Sequence, residues 1–104
     1  MSTEYKKVGD IAVITLTNPP VNALSYPMRQ GVMEHLNSAI NDDEVQAIVL
    51  TGAGKGFCGG ADIHEFDKPE AGMEPTAWTV IEALEQSTKP VVAAIHSVCM
   101  GGGF

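Results

Sequence analysis

Five of the residues from Gly52 to Gly60 are glycine, and the run continues Ala61-Asp62-Ile63. A second cluster, Gly101-Gly102-Gly103, stands near Phe104. Each cluster follows an apolar run, Ala47–Leu50 and Val91–Ile95. Glycine buries no side chain and loses the most backbone entropy on folding, so glycine-rich segments are of use where backbone bends sharply or lies directly against something. Their N–H groups then serve as donors to an anion. Two units of this kind in one small chain suggest a single pocket lined by backbone from both.

Three chemistries compete for such a pocket. A phosphate loop needs Gly-Lys followed by Ser or Thr, but Lys55 is followed by Gly56. A dinucleotide loop needs Gly-x-Gly-x-x-Gly; Gly52 and Gly54 fit, and Phe57 occupies the third place. An oxyanion pocket fits better. Acyl chemistry builds negative charge on a carbonyl oxygen, and each converging N–H donor is worth about 2.7–4 kcal/mol in the transition state. On these residues alone, tight turns account for the glycines equally well.

The ionisable residues carry less. Asp62, His64 and Glu65 cluster in sequence, but a stable metal site wants more ligands, and a solvated strand end is the more frequent outcome. His96 reads as a hydrogen-bonded core histidine and His35 as a surface one. Cys58 and Cys99 read as small packing residues with no base beside them. Met28, Met33 and Trp78 read as core or loop-packing residues. Lys55, Lys68 and Lys89 read as solvated charges, one of which could meet a phosphate near the glycines.

The elements that must position these residues follow from periodicity and breakers. Tyr5–Val8 and Ile11–Leu16 around Gly9-Asp10 predict a hairpin. Ile11–Leu16 is apolar on both faces, which predicts a fully buried strand. Asn18-Pro19-Pro20 ends it. Ser25 is a good N-cap and Pro27 suits a first turn. Met28, Val32, Leu36, Ala39 and Ile40 recur at helical spacing, predicting a helix over 26–40 that stops at Asn41-Asp42-Asp43. Val45–Leu50 predicts a buried parallel strand. Residues 66–75 predict a mobile loop. Pro75 then opens a second helix with Ala77, Val80, Ile81 and Leu84 on one face. Thr88-Lys89-Pro90 breaks it, and Val91–Ile95 predicts a third buried strand. The result is an α/β order with right-handed crossovers. A glycine loop after a strand normally opens a helix, so residues 1–104 are expected to be the front part of a longer domain.

The chain has 104 residues, enough for one small domain. Its formal net charge of −7, with six Lys and Arg in all, argues against nucleic acid as a partner. Two cysteines outside any Cys-x-x-Cys pattern form neither a disulfide framework nor a zinc site. No run approaches the ~20 apolar residues of a membrane span, and no signal-type core follows Met1. These features describe a soluble intracellular protein.

Three segments occur together in order: Asn18-Pro-Pro-Val-Asn-Ala-Leu-Ser25, Gly54-Lys-Gly-Phe-Cys-Gly-Gly-Ala-Asp-Ile63, and the run from Lys89 through Val-Val-Ala-Ala-Ile-His-Ser-Val-Cys-Met to Gly103. Together they closely resemble the crotonase (enoyl-CoA hydratase/isomerase) superfamily over essentially the whole chain. The first segment is most like the hydratase half of multifunctional fatty-acid β-oxidation enzymes. The resemblance implies an α/β fold, a crotonase-like spiral of ββα units, with residues 1–104 its N-terminal portion. It implies an acyl-CoA thioester as substrate, its carbonyl held in an oxyanion hole by the N–H groups of Ala61 and Gly102. Gly60, Ala61, Asp62, Ile63, His64 and Gly102 would line the acyl-CoA site, with Val21, Ala23 and Leu24 near the CoA moiety. Coenzyme A enters as part of the substrate, and no metal or redox cofactor is implied.

The family's hydratases place one glutamate two residues after the glycine triplet, just past Phe104, and a second further on. Water addition needs groups to activate the water and protonate Cα. Glu65, Glu82 and Glu85 do not match those positions. The resemblance therefore implies an enoyl-CoA hydratase (a lyase) for the longer protein and an inactive chain over 1–104. A Δ3-Δ2-enoyl-CoA isomerase, a CoA-ester hydrolase and a non-catalytic acyl-CoA binding module remain alternatives. A homo-oligomer and a fusion to a 3-hydroxyacyl-CoA dehydrogenase are both compatible with it. The expected location is the bacterial cytoplasm, with the peroxisome as the alternative.

Overall fold

The computed structural model describes residues 3–19, 22–54, 56–60, 62, 65, 67–96 and 98–99. Strand β1 (Thr3–Val8) pairs antiparallel with β2 (Ile11–Leu16), and Gly9 takes φ +62° in the turn. That is the expected hairpin. Helix α1 spans Tyr26–Asn41, with Ser25 Oγ accepting from Met28 N–H and Pro27 in the first turn. It ends at Asp42, where the sequence turns polar.

Strand β3 (Ala47–Gly52) runs parallel to β2 and, on its other side, to β5 (Val91–Ala94), giving the order β1-β2-β3-β5. Between β3 and β5 come β4 (Gly56–Cys58), a 3-10 turn at Pro69–Gly72 and helix α2 (Ala77–Glu85). Strand β6 (Val98–Cys99) follows β5 and pairs with β4 in a separate two-stranded sheet. The order is thus ββα, ββα, ββ.

The core lies between α1 and one face of the large sheet. Met28, Val32, Leu36 and Ala39 meet Ala12, Ile14, Leu16, Ile48 and Leu50 there. Each large apolar side chain so buried is worth about 1.5–3 kcal/mol relative to water. Strands β2 and β3 bury alternate residues only. The continuous apolar run Ile11–Leu16 is therefore not buried on both faces: Ile11, Val13 and Thr15 are half-buried.

Other expectations also change. The helix expected from Pro75 starts at Ala77, because the Thr76 hydroxyl accepts from Thr79 N–H and so serves as the N-cap. Val80 is buried, and Ala77, Ala83 and Leu84 pack against the core. Ile81 is exposed, because the buried stripe follows positions 77, 80 and 84 and leaves the fourth position of the turn at its rim. Trp78, about 100° round the helix from Ala77, is 74% exposed rather than packed. The third strand is not buried either. β5 is the outermost strand of its sheet, and Val92 and Ile95 are 57% and 53% exposed.

Candidate functional site

The segment before α1 is built by two asparagines. Asn22 N–H donates to the Asn18 carbonyl at 2.7 Å, and Asn18 N–H donates to Asn22 Oδ1 at 2.8 Å. Asn18 Nδ2 also donates to the Ala23 carbonyl at 2.9 Å. Asn22 has φ +56°, a conformation that asparagine tolerates better than most residues. Its side chain is buried, and its amide reaches across to the glycine stretch. Nδ2 donates to the carbonyls of Ala53 (3.1 Å), Gly56 (2.9 Å) and Phe57 (3.2 Å). Gly52 makes this crossing fit. A Cβ there would stand 2.5 Å from the Gly56 and Phe57 carbonyl oxygens and 2.8 Å from Asn22 Nδ2.

Two residues on, Leu24 N–H donates to the Gly60 carbonyl at 2.7 Å. Gly60 is buried with φ +93°, which glycine alone adopts without cost. The wall of the site is therefore main chain, Asn22–Ser25 lying along Gly56–Gly60. Within the glycine stretch, β4 pairs in parallel with β6, with Gly56 opposite Val98, Cys58 opposite Cys99 and a register irregularity between. Parallel strands deliver their continuations at the same end.

Of the site residues expected from the sequence, Ala23, Leu24 and Gly60 are thus brought together. Asp62 follows closely, its carbonyl accepting from Glu65 N–H at 3.0 Å. Val21, Ala61, Ile63, His64 and Gly102 lie outside the described residues, as does Lys55.

Glu65 is no solvated strand end. Its Oε2 accepts from Tyr26 N–H at 2.7 Å, where the α1 dipole favours negative charge. Its Oε1 pairs with Arg29 Nη1 at 3.0 Å, the two side chains being 12% and 4% exposed. Arg29 holds three main-chain carbonyls as well. Nη1 donates to Leu24 (2.7 Å), Nη2 to Glu70 (2.6 Å) and Nε to Pro75 (2.7 Å). Its guanidinium also stands 5.7 Å from the Tyr26 ring centroid. The segment expected to be a mobile loop over 66–75 is tied to α1 at Glu70 and Pro75. Sequence reasoning passed over Arg29. The signal was there: Arg29, Val32 and Leu36 share one helical face, and a cation in phase with a core stripe needs buried partners.

Three more residues stand differently from expectation. His96 is exposed, with Nε2 3.2 Å from the Gly54 carbonyl. His35 is half-buried and stacks on Tyr5 at 5.3 Å between ring centroids. Lys89 is not a solvated charge: Nζ donates to the carbonyls of Ala39 (2.7 Å) and Asp42 (2.6 Å). Cys58 is buried, as a packing residue should be. Among the described residues no group of three His, Cys, Asp or Glu could hold a metal ion.

Residues 6–104 match the sequence profile described as Enoyl-CoA hydratase/isomerase. The chain belongs to that family. Among curated relatives, the peroxisomal bifunctional enzyme of Danio rerio is 49% identical over 94 residues, covering 90% of this chain and 13% of the relative. The peroxisomal fatty acid beta-oxidation multifunctional protein of Oryza sativa subsp. japonica is 43% identical over 104 residues, covering 90% and 14%. The solved enoyl-CoA hydratase/carnithine racemase of Magnetospirillum magneticum superposes with a TM-score of 0.84 at 34% identity, over 99% of this chain and 42% of that one. The crotonase-like α/β fold expected from the sequence is the fold observed, and its two ββα units are the start of the expected spiral. The chain spans about 13–14% of the length of these curated relatives. The bacterial cytoplasm finds no support in these relatives, which are peroxisomal. Among the described residues no helix is long and apolar enough to cross a membrane.

Proposed function

We propose that residues 1–104 build the thioester-binding half of an enoyl-CoA hydratase site in fatty-acid β-oxidation. The parallel pairing of β4 with β6 carries the reading, with Cys58 opposite Cys99. Ala61 follows Cys58 by three residues, and Gly102 follows Cys99 by three. In sequence, both proposed donors therefore stand three residues beyond a registered pair on neighbouring strands, a spacing that suits a two-donor oxyanion hole. The Leu24–Gly60 hydrogen bond supports it. A planar trans peptide carries its N–H opposite its C=O, so fixing the Gly60 carbonyl is the way to aim the donor at Ala61. A carbonyl already accepting a bond also makes the N–H of its own peptide a stronger donor.

In this reading the thioester oxygen binds Ala61 and Gly102 N–H and gains charge as water adds to the conjugated double bond. Gly60, Asp62, Ile63 and His64 line the acyl-CoA site, and Val21, Ala23 and Leu24 lie towards the CoA moiety. Coenzyme A arrives with the substrate, and the chemistry calls for no metal or redox cofactor. The groups that activate water and protonate Cα are carboxylates outside 1–104, so this chain alone is inactive. The names of its relatives favour a multifunctional protein of the peroxisome; the 3-hydroxyacyl-CoA dehydrogenase implied by the family resemblance is the proposed second activity.

The test has two parts. The isolated chain is titrated with acetoacetyl-CoA in the presence of NAD or ATP, and the full-length gene product is given a 2-enoyl-CoA while the conjugated-thioester absorbance is followed. Thioester binding that NAD and ATP leave untouched, with hydration by the full-length product only, is the expected result. Displacement by NAD or ATP would sink the thioester site. Double-bond migration without hydration would make the enzyme an isomerase, and binding without turnover would make it a non-catalytic module.

A further inference from the structure

We infer that Arg29 and Glu65 are positioning residues for the proposed oxyanion donor at Ala61. The inference rests on the function proposed above. The donor needs a fixed main chain, because misplacing a reacting group by about 1 Å costs on the order of 100-fold in rate. Glycine-rich backbone cannot fix itself, so the fixing must come from its flanks. On one flank the Gly60 carbonyl is held by Leu24 N–H at 2.7 Å. On the other, Glu65 is held by Tyr26 N–H at 2.7 Å and Arg29 Nη1 at 3.0 Å. The two anchors are one assembly. The Arg29 Nη1 that pairs with Glu65 also donates to the carbonyl of Leu24, the residue whose N–H holds Gly60.

The chemistry of the anchor suits the task. Glu65 takes one bond on each carboxylate oxygen, so rotation of the carboxylate breaks both. The pair is nearly out of solvent, where ionic hydrogen bonds are stiff and salt screens them weakly. Arg29 also fixes the Glu70 and Pro75 carbonyls, so the 65–75 segment cannot carry Glu65 away. Neither side chain is proposed to touch the substrate.

The test is made in the full-length gene product with Glu65→Gln, Arg29→Lys and the double variant. Glu65→Gln keeps the shape and can still accept from Tyr26 N–H, but it loses the ion pair. The expected result is a 10- to 100-fold fall in kcat for 2-enoyl-CoA hydration, with KM within about twofold. Amide exchange should quicken in the peptide spanning 59–66, and the double variant should be no worse than the poorer single one. A purely structural role would lower Tm and leave kcat per folded molecule unchanged, and that outcome overturns the inference. So does unaltered exchange over 59–66 in Glu65→Gln. Should the wild type bind thioesters without hydrating them, the proposed function fails on its own. The clamp is then judged by acetoacetyl-CoA, whose bound absorbance shift should shrink in Glu65→Gln; an undiminished shift overturns it.

Discussion

The two ends of α1 solve the same electrostatic problem with different results. At the N-terminal end a carboxylate, Glu65, meets the helix N–H groups and Arg29 completes the charge. At the C-terminal end an ammonium, Lys89, meets the last carbonyls at Ala39 and Asp42. Nearby, Lys7 pairs with Asp42 (3.0 Å) and Glu44 (2.8 Å). Both ends obey the helix dipole. The N-terminal group is almost dry, whereas Lys7 and Asp42 are about a third exposed and Glu44 is 81% exposed. A dry pair cannot be given up cheaply, because one partner left alone is an uncompensated buried charge. A wet pair surrenders its energy to water and salt. The candidate site sits at the dry end, where position matters for chemistry.

This contrast can be broken by a graded set of variants. Arg29→Met should have the largest effect, a loss of about 3–5 kcal/mol in urea unfolding, since it strands Glu65 and three carbonyls. Asn22→Ala, at the same end, should cost about 2 kcal/mol, and Asn22→Asp more, since a carboxylate would face the three carbonyls that the amide now serves. Lys89→Met should cost about 1 kcal/mol. An inverted order, with the C-terminal variants the more damaging, would show that burial does not set the ranking.

The smallest effect belongs to Lys7→Ala, and it should vanish in ~1 M salt, where the screening length is about 3 Å. Its sign with pH can be worked out. The hydrogen bond from Lys7, then that from Glu44 N–H, hold the Asp42 carboxyl below its ordinary value of 3.8. A depressed folded value means stability present above 3.8 and lost as pH falls through the folded value. The hydrogen bond to Glu44, then that to Asp42, raise Lys7 above 10.5, so its contribution is complete below that value and lost only as pH rises through the folded value. Wild type and Lys7→Ala should therefore differ by a constant amount across neutral pH and converge in acid. A difference that grew below pH 3.8 would contradict the pairing.

Much of this was legible in the sequence, and the misses have a common cause. The β1–β2 hairpin, the start of α1 at Ser25 and the position of β3 are written in local chemistry: a turn glycine, a capping serine, a run of branched apolar residues. Strands β4 and β6 are not. A trio and a residue pair are too short to show a strand pattern, though Phe57 and Val98 suit strands, and the two segments pair with each other. Arg29 and Glu65 are 36 residues apart and look like ordinary surface charges until the fold joins them. Val91–Ile95 reads as a buried strand because composition reports apolarity, whereas burial depends on what covers it. In the candidate site, the family resemblance supplied Ala61 and Gly102, which glycine spacing alone left open. The structure contributes what the resemblance did not, the asparagine crossing and the charge clamp behind the glycines.

The pairing of β4 with β6 also sets a timetable. Gly56 and Val98 are registered partners, so the strand inside the glycine stretch has no partner until the later segment is made. At about 5–20 residues per second of synthesis, that wait is roughly 2–8 s. The chain of the hairpin and of α1 is made by residue 41, and the hairpin's pairing is local, the kind of contact that forms early and fast. A three-residue strand has no independent stability. The glycine stretch therefore leaves synthesis with its strand unpaired, and that side of the site closes only when β6 arrives.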